Sequence, residues 1–178
     1  LGSLIPIAGL LWFFALGGPI AANPVGVIFA TLLFVLFVGA IIAAVTGYMA
    51  GLIGASNSPV SGVGILAIIA ASLMLLLFFG RNHSEADTAA LVAYALFTTA
   101  IVFSVATISN DNLQDLKTGQ LVGATPWKQQ LALVIGVGFG SLIIPPVLDL
   151  LNQAFGFAGA AGAGANALPA PQAALISA

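Results

Sequence analysis

Residues 48–70 read YMAGLIGASNSPVSGVGILAIIA. Apolar residues fill both ends of the stretch. Its middle holds Ser56, Asn57, Ser58, Pro59 and Ser61, set among Gly51, Gly54, Gly62 and Gly64. Two apolar runs joined by turn-forming residues describe two helices with a break between them. Composition says what solvent those helices meet. The chain is 61% hydrophobic and 4% charged, with three basic and five acidic residues in 178. A soluble domain carries roughly 25% charged residues, because its surface must face water. The solvent here is therefore lipid, and the chain is read as an integral membrane protein.

The same counts exclude other classes. A net charge of −2 gives no basic face for nucleic acid. There is no cysteine for a disulfide or a thiolate metal site. His83 is the sole histidine, and one imidazole does not make a protein metal site. It is read as solvated in the short RNHSEAD link. No Ser/His/Asp set lies within the apolar runs, so an intramembrane hydrolase is not supported. Neither a metal nor a cofactor is expected.

A helix needs about 20 apolar residues to cross a bilayer, and backbone in lipid must satisfy its own hydrogen bonds. On that basis the chain is all-α, a polytopic bundle over 1–153 with spans at roughly 3–17, 25–49, 60–80, 88–108 and 128–151. A β-barrel would alternate apolar and polar residues; TLLFVLFVGAIIAAV does not. The apolar opening lacks the basic region of a signal peptide, and the chain reads as a piece of a longer protein. Residues 154–178 are rich in Gly, Ala and Pro and are expected to form a loop leading into a further helix. Lys117 and Lys128 against Arg81 place the 109–128 link on the cytoplasmic side.

Polar residues concentrate in a few places. Ser58 before Pro59 is a helix-start signal, because Ser caps free N–H groups and Pro fits the first helical position. A broken helix or re-entrant turn is thus expected near residues 54–62. One reading is a capped turn at the membrane edge. The other is a discontinuous helix whose N-terminus meets a substrate, with Ser56, Asn57, Ser58 and Ser61 as its polar contacts. Asp111 and Asp115 lie four apart and share a helix face. They are read either as a solvated edge or as carboxylates that couple an ion. Gly47 and Gly51, and Gly136 and Gly140, have the spacing of close helix packing. Pro145 and Pro146 are expected to kink or break the last span.

Two stretches resemble the oligopeptide transporter family, in its bacterial members: GLIGASNSPVSGVGI at 51–65, and DLKTGQLVGATPWKQQLALVIGVGFGSLIIPPVLDLLNQAFGF at 115–157. The trailing LPAPQAALISA fits the same pattern. Gly51, Gly54, Ser56, Asn57, Pro59, Ser61 and Gly62 match one family motif. Asp115, Lys117, Thr118, Gly119, Gly123, Pro126, Gln129 and Gln130 match another. The resemblance implies a multi-pass carrier, with more helices than this chain holds, that moves small peptides or metal chelates coupled to protons. The NPG-type signature of eukaryotic peptide carriers is not in the sequence, which keeps peptide-like solutes and chelates both open.

The expectation is a secondary active transporter, not an enzyme, in a bacterial inner membrane. Ser56, Asn57, Ser58 and Ser61 bind substrate, and Asp111 or Asp115 couples the ion. Gly51, Gly54, Pro59, Gly62, Pro145 and Pro146 act as hinges. Its partners are the bilayer, the remaining helices of the full-length chain and the substrate, with a homo-oligomer left open. Two rivals stand beside it: a pore with a Gly/Ser filter, and a non-transporting membrane scaffold.

Overall fold

The computed structural model of the chain describes residues 4–14, 18–81, 83–158 and 167–169. It contains α1 (Leu4–Phe14), α2 (Pro24–Ile53), α3 (Val60–Phe79), α4 (Glu85–Val122) and α5 (Pro126–Phe155). Short 3-10 turns occupy Gly18–Ala22 and Ala55–Asn57. Among the described residues no strand forms, and an isolated β-bridge joins Phe157 to Leu168. Among the described residues four helices, α2 to α5, are long and apolar enough to cross a membrane. The protein is an integral, multi-pass, all-helical membrane protein. Of the expected first span at 3–17, α1 covers Leu4–Phe14, and residues 3 and 15–17 lie outside the described residues. Most of the expected 154–178 loop and its further helix lies outside the described residues.

The chain divides into two units, residues 1–114 and 115–178. In the first, Val35 of α2, Ala67 of α3 and Val102 of α4 form a buried core, flanked by Phe34, Val38, Ile42 and Ile101. Thr31 meets Tyr94, Gly39 approaches Val105, and Thr46 meets Ala106. The numbers rise together, so α2 and α4 run parallel. α3 runs against both: Ser58, just before it, meets Thr46, and Ala67 packs with Val35. Phe37, Leu66 and Leu77 remain exposed.

Lipid offers no hydrophobic drive between helices, so small residues and interhelical hydrogen bonds do the joining. Thr31 Oγ1 and Tyr94 Oη lie 3.0 Å apart. Thr46 Oγ1 donates to the Ala106 carbonyl at 3.2 Å, and Ser109 Oγ to the Ala43 carbonyl at 2.7 Å. Each such bond contributes about 0.6 kcal/mol in a membrane.

Helix ends follow local chemistry. Asn23 Oδ1 accepts from Gly26 N at 3.2 Å and Pro24 opens α2. Ser84 Oγ accepts from Asp87 N at 3.2 Å, which starts α4 at Glu85, earlier than 88. The four long helices all end on a glycine with φ between +71° and +86°, a conformation that costs other residues dearly. His83, expected to be solvated, is half-buried, with Nε2 2.9 Å from the Phe79 carbonyl at the end of α3.

Two expectations about helix continuity are corrected. The fourth helix does not stop at 108; α4 continues to Val122, and the expected 109–128 link is mostly helix. The polar run SNDNLQDLKTGQ contains no proline, and polarity marks the solvent a helix meets rather than its backbone state. At about 57 Å, α4 is far longer than the bilayer core. Of the kink or break expected at Pro145 and Pro146, the break does not occur: α5 is helical on both sides of them. Proline costs a helix the N–H bond to the residue four before it, but its fixed φ is helical.

Gly47 and Gly51 behave differently, despite their spacing. A Cβ on Gly47 would lie 2.6 Å from Ser109 Oγ, whereas nothing lies within 4 Å of one on Gly51. Gly47→Ala is therefore expected to destabilise the full-length protein by about 1–3 kcal/mol through overpacking. Gly51→Ala is expected to be neutral or slightly stabilising. Thermal unfolding in detergent checks this; equal effects at the two positions would contradict the α2–α4 packing.

Candidate functional site

The break after α2 begins at Gly54, with φ 86° and ψ 157°, backbone that only glycine adopts at low cost. Its N–H still closes a bond to the Ala50 carbonyl at 3.0 Å. The turn that follows is tied down by side chains. Asn57 Nδ2 donates to the Ile53 carbonyl at 3.1 Å, satisfying one of the open carbonyls at the end of α2. Gln114 Oε1, from α4, accepts from Ala55 N at 3.1 Å. Ser58 Oγ donates to the Thr46 carbonyl at 3.5 Å. The expected Ser58 cap of α3 is not formed. Pro59 holds the cap position with no side-chain bond, and α3 starts at Val60. Ser58 turns back to α2 because its backbone is extended and Pro59 supplies the first carbonyl, to Val63 N.

One end of the first unit thus collects polar groups from three helices. Ser56 and Ser61 are exposed there. Asn110 is buried, its Nδ2 3.4 Å from Asp111 Oδ1, while its own Oδ1 has no partner. Asp111 is exposed.

The second unit contains an open groove of about 1030 Å³ between the last turns of α4 and the length of α5. A three-residue connection, 123–125, brings α5 back past the last turns of α4, with Ala124 N bonded to the Gly119 carbonyl at 2.8 Å. Asp115, Thr118 and Gly119 line one wall. Gln129, Gly136, Gly140 and Ser141 line the other, at the spacing of one helix face. Gln129 lays its amide where a side chain on residue 119 would stand, so only glycine fits there. Both polar atoms of that amide are buried without a hydrogen-bond partner, an arrangement that costs about 1–3 kcal/mol per group.

Among the groove's lining residues, Asp115 alone is charged. Lys117 Nζ donates to Gln120 Oε1 at 3.2 Å, and Lys128 Nζ sits 5.9 Å from the Trp127 ring centroid. Pro145 also lines the groove and, having no N–H, makes no helical bond to the Ser141 carbonyl.

The predicted site residues therefore fall in two places. Ser56, Asn57, Ser58, Ser61 and Asp111 belong to the polar end of the first unit, Asp115 to the groove of the second. Sequence reasoning assigned no role to Gln114, Asn110, Thr118, Gln129 or Ser141. The signal available for the groove was the face shared by Gln129, Gly136, Gly140 and Ser141.

The whole chain, residues 1–178, matches the family model described as "OPT oligopeptide transporter protein". A Haemophilus influenzae protein named "Putative oligopeptide transporter" is 48% identical over 173 residues, 89% of this chain and 27% of its own length. An Oryza sativa protein named "Probable metal-nicotianamine transporter YSL14" is 35% identical over 82 residues, 46% of this chain and 11% of its own. The chain therefore spans about a quarter of the first relative and less of the second. No solved structure matches it.

Asn57→Ala is expected to lower stability by about 0.5–1.5 kcal/mol, the worth of one hydrogen bond. Ser56→Ala, at an exposed position outside this bonding, should leave the melting temperature unchanged. Equal losses at both positions would contradict the geometry of the turn.

Proposed function

The chain belongs to the oligopeptide transporter family, and on that premise we propose that it is part of a proton-coupled secondary active transporter of a bacterial inner membrane. Its solutes are small peptides, peptide-like compounds or metal chelates. One observation carries the reading: at the break between α2 and α3, exposed Ser56 and Ser61 hydroxyls and the Asp111 carboxylate come to one end of an otherwise apolar bundle. Hydrogen-bonding groups of that density are costly to leave in lipid, and they suit a polar solute passing through a water-filled path.

The chemistry follows from the geometry. The first turn of α3 holds N–H groups with no intrahelical partner and about half a positive charge. A carboxylate of the solute is held there, with Ser56 and Ser61 as further donors. Asn57 and Ser58 shape the turn through their bonds to Ile53 and Thr46. A carboxylate of the Asp111 and Asp115 pair takes up and releases the proton. Nothing lies within 4 Å of a Cβ placed on Gly51, Gly54 or Gly62, which leaves the segment around Pro59 room to move as a hinge. Pro145 and Pro146 give α5 the same freedom.

Uptake into proteoliposomes holding the full-length protein tests this. Transport should saturate with solute, follow an imposed proton gradient and collapse with an uncoupler. Replacing the coupling aspartate by Asn should flatten the pH dependence while the melting temperature is retained. Uncoupler-insensitive conductance would establish the pore instead. Absence of any solute-dependent flux or stabilisation would leave the scaffold. If Asp111→Asn and Asp115→Asn both transport with unchanged pH dependence, the coupling role is wrong.

A further inference from the structure

We propose that the groove of the second unit is a binding site for the amino-terminal end of a peptide, in which Asp115 pairs with the ligand's ammonium group and Gln129 with its first amide. This deepens the reading above, on which it rests for the presence of a peptide.

Three observations converge. First, the groove has the volume of a small-molecule site, about 1030 Å³, and its mostly apolar walls carry an exposed Asp115. Second, Asp115 is the one charged lining residue, and both nearby lysines are engaged elsewhere. The groove is therefore selective for a cation. Third, the Gln129 amide lies in the groove lining with donor and acceptor both buried and unpaired. A bare metal or alkali cation would satisfy Asp115 and Gln129 Oε1 but would leave the Nε2 hydrogens without an acceptor. A peptide group presents one N–H and one C=O, and pairs with both ends of a carboxamide. The ligand that fits is thus an amine followed closely by an amide.

Gly119 is the seat that makes the arrangement possible. It lets the Gln129 side chain lie flat against α4 when no ligand is bound, and any larger residue would force the amide away. This assignment also divides the aspartate pair: Asp115 serves the solute, and Asp111, beside Asn110 and outside the groove lining, is left for the proton.

The test uses the purified full-length protein, with trialanine and N-acetyl-trialanine as probes, read by calorimetric titration and thermal unfolding. Wild type should bind trialanine about tenfold more tightly than its acetylated form, the worth of one charge-assisted hydrogen bond. Asp115→Asn should abolish that preference without changing the affinity for the acetylated peptide. Gln129→Leu, which keeps the bulk, should weaken both peptides about tenfold while the melting temperature holds or rises. If both variants leave both affinities unchanged, with or without loss of stability, the groove is the seat of another helix of the full-length chain and the proposal is overturned. Wild type that binds neither peptide overturns it as well. Proton-driven uptake of trialanine with unaltered affinity in the variants would sink this site and spare the transporter. The expected binding pattern without proton-driven uptake would do the reverse.

Discussion

Every backbone N–H and C=O in this chain that meets lipid must find its partner inside the protein. That constraint accounts for the long helices, and it also governs where they are allowed to stop. The stop at Ile53 is the most informative. Gly54 turns the chain, Asn57 takes an open carbonyl, and Gln114 reaches from α4 to hold the Ala55 N–H. The break is thus stabilised from two helices. At the other end of α3, His83 meets the Phe79 carbonyl in the same way.

Given helices in lipid, specificity of packing rests on few contacts. Thr31 with Tyr94, Thr46 with Ala106 and Ser109 with Ala43 fix the parallel register of α2 and α4. Gly47 and Gly64 let side chains of α4 come close, Ser109 to the first and Phe103 to the second. The polar end is the continuation of that seam, and Asn110 Oδ1 stays unpaired there.

Much of this was legible in the sequence. Scarcity of charge identified the solvent, and uninterrupted apolar runs identified helices. SNSP marked the break, because its turn chemistry is local. What failed was non-local or depended on geometry. Polarity after residue 108 suggested a loop, yet α4 simply leaves the apolar layer as a helix. Ser58 looked like a cap, but Pro59 took that position and Ser58 turned to Thr46. Two GxxxG pairs looked alike, and only tertiary structure separates buried Gly47 from open Gly136. The groove needs α5 laid beside the last turns of α4, so Gln129 could be matched to a family motif but given no role. Family membership then gives the proposed transport its context, since the chain spans 27% of a relative named as an oligopeptide transporter.

The central claim is that the break between α2 and α3 lines a water-filled path for solute rather than a lipid-facing turn. This chain has no cysteine, which suits a thiol-accessibility measurement in a cysteine-free version of the full-length protein. Ser56→Cys and Ser61→Cys would be reacted with a membrane-impermeant thiol reagent, with and without peptide, beside Leu66→Cys, in the apolar run of α3, as the reference. The account predicts rapid labelling at 56 and 61, slowed by peptide, and none at 66. Labelling at 56 and 61 that matches position 66, or that peptide leaves unchanged, would contradict it.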